Sequence, residues 1–152
     1  MRPLRPAPVL LVAYVGLVLW ATLGPVPWAG HGYQAPDGVL DWRIWLDADT
    51  WTMGTRTEFV LNVLMFVPLG ALLALTLRRA PLLVVTGVAV ALGVVIELAQ
   101  ISMVDRISDP RDVVANAGGA FVGVLIARGI AAIAGLSSQT PAPARARAQR
   151  TS

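Results

Sequence analysis

The chain has no cysteine and a single histidine, His31, set between glycines. Disulfides and thiolate chemistry are therefore excluded, and no structural zinc site is expected, because such sites draw four ligands from Cys and His. Lysine is absent as well. All twelve basic residues are arginine, which carries no functional message of its own. Charge is scarce: 14% of the 152 residues are charged, against about 25% in an ordinary soluble domain. Hydrophobic residues make up 56% of the chain, and the mean hydropathy is +0.67. Lipid is the expected solvent.

A helix needs about 20 apolar residues to cross the hydrocarbon. Four stretches answer to this, at about 8–24, 59–77, 82–104 and 110–136. Irregular backbone cannot face lipid, so each is expected to be helical. The expected fold is an all-α membrane protein, a four-helix transmembrane bundle over 1–136, with a basic, disordered tail at 137–152. The first stretch follows Arg2 and Arg5 and has the outline of a signal peptide. The sequence Gly24-Pro25-Val26-Pro27-Trp28 after it lacks a small-x-small cleavage pattern, so an uncleaved anchor is the preferred reading.

Arginine in short loops marks the cytoplasmic side. Arg2, Arg5, Arg78, Arg79, Arg128, Arg145, Arg147 and Arg150 fall on one side of this arrangement, with no Asp or Glu beside them. The other side holds Asp37, Asp41, Asp47, Asp49 and Glu58 against Arg43 and Arg56, together with the short Asp105–Asp112 loop. Both termini are therefore expected in the cytoplasm, in a multi-pass protein of the cell membrane. Arg128 lies about 27 Å along the fourth helix at 1.5 Å per residue, where it is expected to snorkel to the inner headgroups. The first outer loop runs for roughly 34 residues, long for a structureless connection. Its Leu40–Asp47 segment mixes charge with Trp42 and Trp45, and suggests a short amphipathic helix on the outer leaflet. The loop reads either as a plain anchored connection or as a lid.

Polar residues inside spans carry most of the functional information. Asn62 lies about one turn into the second helix, Glu97 about 22 Å up the third, and Asn116 about one turn into the fourth. The orientation puts all three at a common depth near the outer surface. Gln100 follows Glu97 on the same face. Asp112, Asn116, Gly119 and Gly123 share one face of the fourth helix, Gly93, Glu97 and Gln100 one face of the third, and Glu58, Asn62, Phe66 and Gly70 one face of the second. Small residues at such spacing let helices approach closely. Pro68 is expected to kink the second helix and free a carbonyl. Asp109-Pro110-Arg111-Asp112 reads as a helix start, with Asp109 the N-cap. Expected partners for Glu97 are Asn62, Asn116, Arg106 and Arg111. The polar groups also read as glue between helices, at about 0.6 kcal/mol per interhelical bond. Glu97, Asp105, Asp109 and Asp112 have no fixed spacing that would support a divalent cation, and no metal ion is expected.

These residues resemble the VanZ-like membrane proteins. The resemblance rests on Asn62-x-x-x-Phe66-x-Pro68-x-Gly70, on Glu97-x-x-Gln100, on Asp105-Arg106, and on Asp112-x-x-x-Asn116-x-x-Gly119 with Gly123. Thr22-Leu23-Gly24-Pro25 is similar to the family's ending of its first helix. The resemblance covers roughly residues 10 to 130 and leaves out the acidic, Trp-bearing loop. It implies a link to resistance against teicoplanin, a glycopeptide acting outside the cytoplasmic membrane.

Three functions follow as expectations. In the first, Asn62, Glu97, Gln100, Arg106, Arg111, Asp112 and Asn116 bind a lipid-linked cell-wall precursor, an envelope lipid or a glycopeptide antibiotic. In the second, a membrane enzyme uses Glu97 or Asp112 as general base with Arg111 steadying an anion. The Ser-His-Asp, Cys-His and H-E-x-x-H signatures that would strengthen this are missing. In the third, the chain is a structural or assembly partner in a membrane complex. The bilayer is the expected surrounding in every case, and neither a cofactor nor a nucleic acid is expected.

Overall fold

The computed structural model describes residues 6–25, 36–104 and 106–137. Arg2, Arg5, Trp28, His31, Asp105 and the tail from 138 onward, with the expectations attached to them, lie outside the described residues. Among the described residues the chain is helical without strands. The helices are α1 (Pro6–Leu23), α2 (Trp42–Leu46), α3 (Ala48–Thr52), α4 (Arg56–Thr76), α5 (Leu82–Gln100) and α6 (Pro110–Ser137), with a 3₁₀ turn at Gly38–Leu40. Four of them, α1, α4, α5 and α6, are long and apolar enough to cross a membrane.

Each span is apolar on every side, because lipid and bundle interior demand the same side chains. Val12, Trp20, Leu83, Val95 and Ile130 face outward, while Val18, Phe66, Leu69, Val85, Ala89, Ile96, Ala120 and Val124 form the core. The closest pairing is α4 with α6, and it is made backbone to backbone. A Cβ added at Gly119 would fall on the Val63 carbonyl, one at Gly123 on the Val67 carbonyl, and one at Gly70 on the Ala120 carbonyl. The expected small-residue stripe is thus the seam itself. Gly93 does the same for α5: a side chain there would press on Asn116 Cβ at 3.2 Å and Phe66 Cε1 at 3.6 Å. Tyr14 fastens α1 by donating its hydroxyl to the Met65 carbonyl at 2.9 Å.

The helix ends differ from expectation in instructive ways. α4 begins at Arg56, before Phe59, because Thr55 accepts from the Glu58 N–H at 3.2 Å and donates to the Glu58 carboxylate at 2.6 Å. Thr55 is thus the N-cap of a Thr-x-x-Glu start, its hydroxyl paired with the Glu58 carboxylate, so Glu58 belongs to the helix start. α4 runs through Pro68 as one helix. α5 stops at Gln100 instead of Val104, and the Met103 N–H turns back to the Gln100 carbonyl at 2.9 Å. Stopping there returns the chain across the end of α5. α6 starts at Pro110 as expected, with the Asp109 carboxylate accepting from the Arg111 N–H at 2.8 Å.

Arg128 does not simply extend toward headgroups. Half-buried, it donates to the carbonyls of Leu77, Arg78 and Ala80 at 3.4, 3.0 and 2.6 Å, closing the end of α4. The carbonyls at a helix end have no partner within the helix, and that is where a guanidinium is most useful.

Substituting Gly123 or Gly119 by Val should separate α4 from α6 and destabilise the fold by about 1–3 kcal/mol or more. Gly129→Val, where nothing lies within 4 Å, should stay within about 0.5 kcal/mol of the parent. Thermal melting of the purified protein in detergent, with gel filtration to follow monodispersity, checks the contrast. Equal melting temperatures for all three variants would contradict a backbone seam.

Candidate functional site

One end of the bundle gathers the end of α1, the start of α4, the end of α5 and the start of α6, under the segment 36–55. Glu97, in the last turn of α5, is 2% exposed. Its carboxylate accepts from the Asp109 N–H at 3.0 Å, just ahead of the first turn of α6. The Ser108 hydroxyl also faces that carboxylate. Ser108 is buried, and its oxygen accepts from the Val39 N–H at 3.3 Å, which ties the covering segment to the site. Gly38 makes that contact possible. Its φ of +49° suits glycine, and a Cβ there would lie 2.7 Å from Ser108 Cβ and 2.8 Å from Ile101 Cγ1.

Asp112, three residues into α6, faces Glu97 closely enough for their charges to repel. The Asn62 side chain reaches the Asp112 carboxylate from α4. One turn further along α6, Asn116 is 2% exposed and packs against Gly93. Its Oδ1 has no hydrogen-bond partner among the described residues. Glu97, Asp112 and Asn62 therefore come together from three spans, and Asn116 extends this polar seam by one turn of α6, against Gly93.

The other three residues expected to bind a ligand make hydrogen bonds to backbone carbonyls. Gln100 donates to the Thr22 carbonyl at 3.0 Å. Arg106 donates to the carbonyls of Ala21 and Gly24 at 2.9 and 3.0 Å. Together they close the end of α1, so neither is directed at Glu97 through these bonds. Arg111 is buried, donates to the Thr55 carbonyl at 3.3 Å, and lies over the Phe59 ring at 6.0 Å. A Cβ at Gly54 would fall on its guanidinium. Arg111 thus clasps the start of α6 to the start of α4.

The model of the VanZ/LLP1 family matches residues 11–133. The chain belongs to this family. No curated protein and no solved structure matches it. The VanZ/LLP1 motifs now have distinct physical tasks. In α4, Asn62 serves Asp112, Phe66 lies by Gly93, and Gly70 meets α6. In α5, Glu97 enters the cluster and Gln100 closes α1. In α6, Asp112 and Asn116 enter the cluster and Gly119 meets α4.

Sequence reasoning missed Ser108, Gly38 and Thr55. Only Thr55 had a local signal, the Thr-x-x-Glu pattern. Among the described residues no three His, Cys, Asp or Glu side chains are grouped to hold a metal ion.

Segment 36–55 has its own logic. Asp41 and Asp47 cap α2 and α3, accepting from the Arg43 and Asp49 N–H groups at 3.0 Å each. The Trp45 indole donates to the Val39 carbonyl at 2.9 Å, and Trp51 to the Trp45 carbonyl at 3.1 Å. Leu40, Trp42, Leu46, Trp51 and Met53 are left exposed. The expected amphipathic helix is therefore two short helices whose exposed surface carries both apolar and charged side chains.

Arg106→Ala should unfasten α1 and leave Glu97 in place. Hydrogen exchange should quicken at the Leu23 and Gly24 amides, with a stability loss of about 1–3 kcal/mol from carbonyls left unpaired. Unchanged exchange there would show that the clasp is dispensable.

Proposed function

We propose that this chain is a cell-membrane binding protein that turns its carboxylate–amide seam to the outer side and takes the polar headgroup of an envelope lipid or lipid-linked cell-wall precursor. Lipid-bearing glycopeptides are a further candidate ligand, as the family resemblance implies. The observation carrying this reading is the Asn116 Oδ1, deeply buried and without a hydrogen-bond partner among the described residues, one helical turn along α6 from the half-buried Asp112 and packed on α5 one turn before the buried Glu97. A polar group that only ties helices together has its partner in a neighbouring helix, as the Gln100 amide has in the Thr22 carbonyl. An acceptor without a partner, in a medium where each such atom is expensive, is the mark of a site awaiting a donor.

Two features support the outward orientation. Arg78, Arg79 and Arg128 lie at the far end of the bundle from the seam, as the positive-inside rule asks of the cytoplasmic face. The exposed tryptophans Trp42 and Trp51 sit on the segment that covers the seam, and tryptophan favours the membrane–water interface. A headgroup would enter by lifting Gly38 and Val39 from Ser108. The enzymatic reading has less support, because Arg111 directs its guanidinium to Thr55 and Phe59.

The absence of cysteine makes the topology directly testable. A cysteine in place of Asp49 should react with a membrane-impermeant maleimide on intact cells, whereas one in place of Arg79 should react only after permeabilisation. The reverse pattern would put the seam on the cytoplasmic side.

Function is tested with Glu97→Gln. The variant should insert and accumulate normally, yet lose the difference in envelope-lipid profile, or in glycopeptide sensitivity, that separates an overexpressing strain from a deletion strain. Loss of the variant from the membrane would favour the helix-glue reading. A fully active variant would defeat the binding site.

A further inference from the structure

We propose that the Glu97–Asp112 pair receives a primary ammonium group, so that the ligand is an amphiphile with an amine headgroup. This narrows the binding function proposed above and rests on it.

The charges of Glu97 on α5 and Asp112 on α6 act on each other, and among the described residues the hydrogen bonds to them come from neutral groups. Glu97 has the Asp109 N–H and the Ser108 hydroxyl, and Asp112 has the Asn62 amide. The arginines expected to balance them are engaged elsewhere. Arg106 closes α1, and Arg111 bonds to Thr55 and acts on Asp112 only as a nearby charge. Among the described residues no arginine forms an ion pair with either acid. Here a third acceptor, the unpartnered Asn116 Oδ1, is buried in the same α5–α6 seam.

Two carboxyl groups and an amide oxygen, with no arginine bonded to them among the described residues, suit a compact cation with several N–H donors. A primary ammonium has three donors and no acceptor. A trimethylammonium has no N–H to offer, and a phosphate would meet repulsion. The approach agrees in sign: the covering segment and the start of α4 carry Asp37, Asp41, Asp47, Asp49 and Glu58 against Arg43 and Arg56. A net acidic mouth concentrates cations ahead of binding. The exposed Trp42 and Leu46 beside that mouth suit an acyl chain still held in the leaflet.

The test uses the whole chain in phosphatidylcholine nanodiscs and four hexadecyl photoprobes differing only in headgroup: primary ammonium, N-acetylated amine, trimethylammonium and phosphate. Labelling is mapped by peptide mass spectrometry. The ammonium probe should label the stretch 97–112 at least about ten-fold more than its N-acetylated twin, the scale of a hydrogen bond to a charged group. Asp112→Asn and Glu97→Gln should each remove most of that preference. If either variant fails to fold, headgroup selectivity in the parent protein alone decides. Equal labelling of 97–112 by the N-acetyl or phosphate probe would overturn the amine specificity and leave headgroup binding standing. Labelling of 97–112 by no probe above the level on lipid-facing α1 would overturn both. Competition then names the source: displacement by phosphatidylethanolamine but not by free ethanolamine indicates a membrane lipid, and displacement by both indicates a water-borne amine.

Discussion

Backbone polar groups at helix ends have no partner within the helix, and in a bundle bathed by lipid they have little water to turn to. Three helix ends in this protein are closed by side chains from distant parts of the chain. Gln100 and Arg106 close α1, Arg128 closes α4, and Glu97 takes the Asp109 N–H as α6 begins. Each closure also fixes how two helices sit together. Polar residues that read as a single binding set are divided between this task and the site because the medium enforces closure.

The site follows from the same geometry. Glycines on α4 and α6 bring the two backbones into contact, which sets Asn62 against Asp112. The loss of a side chain at Gly93 admits Asn116 to the seam between α5 and α6. The early end of α5 returns Ser108 and Asp109 over Glu97, and Gly38 lets the covering segment settle on Ser108. Glu97 is buried, and Asp112 half-buried, because neighbouring backbones come so near.

Several of these features are legible along the chain. The four spans stand out by length and apolarity, since lipid tolerates nothing else. The start of α6 is written in Asp109-Pro110, because a cap and a proline act on their own neighbours. The glycine spacing on α4 and α6 foretells a close seam, and the shared depth of Asn62, Glu97 and Asn116 follows from residue counting. The assignments of Gln100, Arg106, Arg111 and Arg128 were out of reach. Each donates to a carbonyl far away in sequence, and an arginine near a carboxylate in one dimension gives no sign that it will turn to a backbone oxygen. Ser108 is one serine in a short connection, with no pattern to mark it.

The sequence by itself determined the medium, the number of spans and the polar residues available within them, because composition and local periodicity act over a few turns of helix. Which of those residues converge, which hold helix ends together, and which acceptor is left without a donor were decided only by tertiary structure. Those outcomes depend on the rotation of each helix about its axis. In a span apolar on all sides, small-residue packing and long-range carbonyl partners set that rotation, and neither can be read from one helix alone.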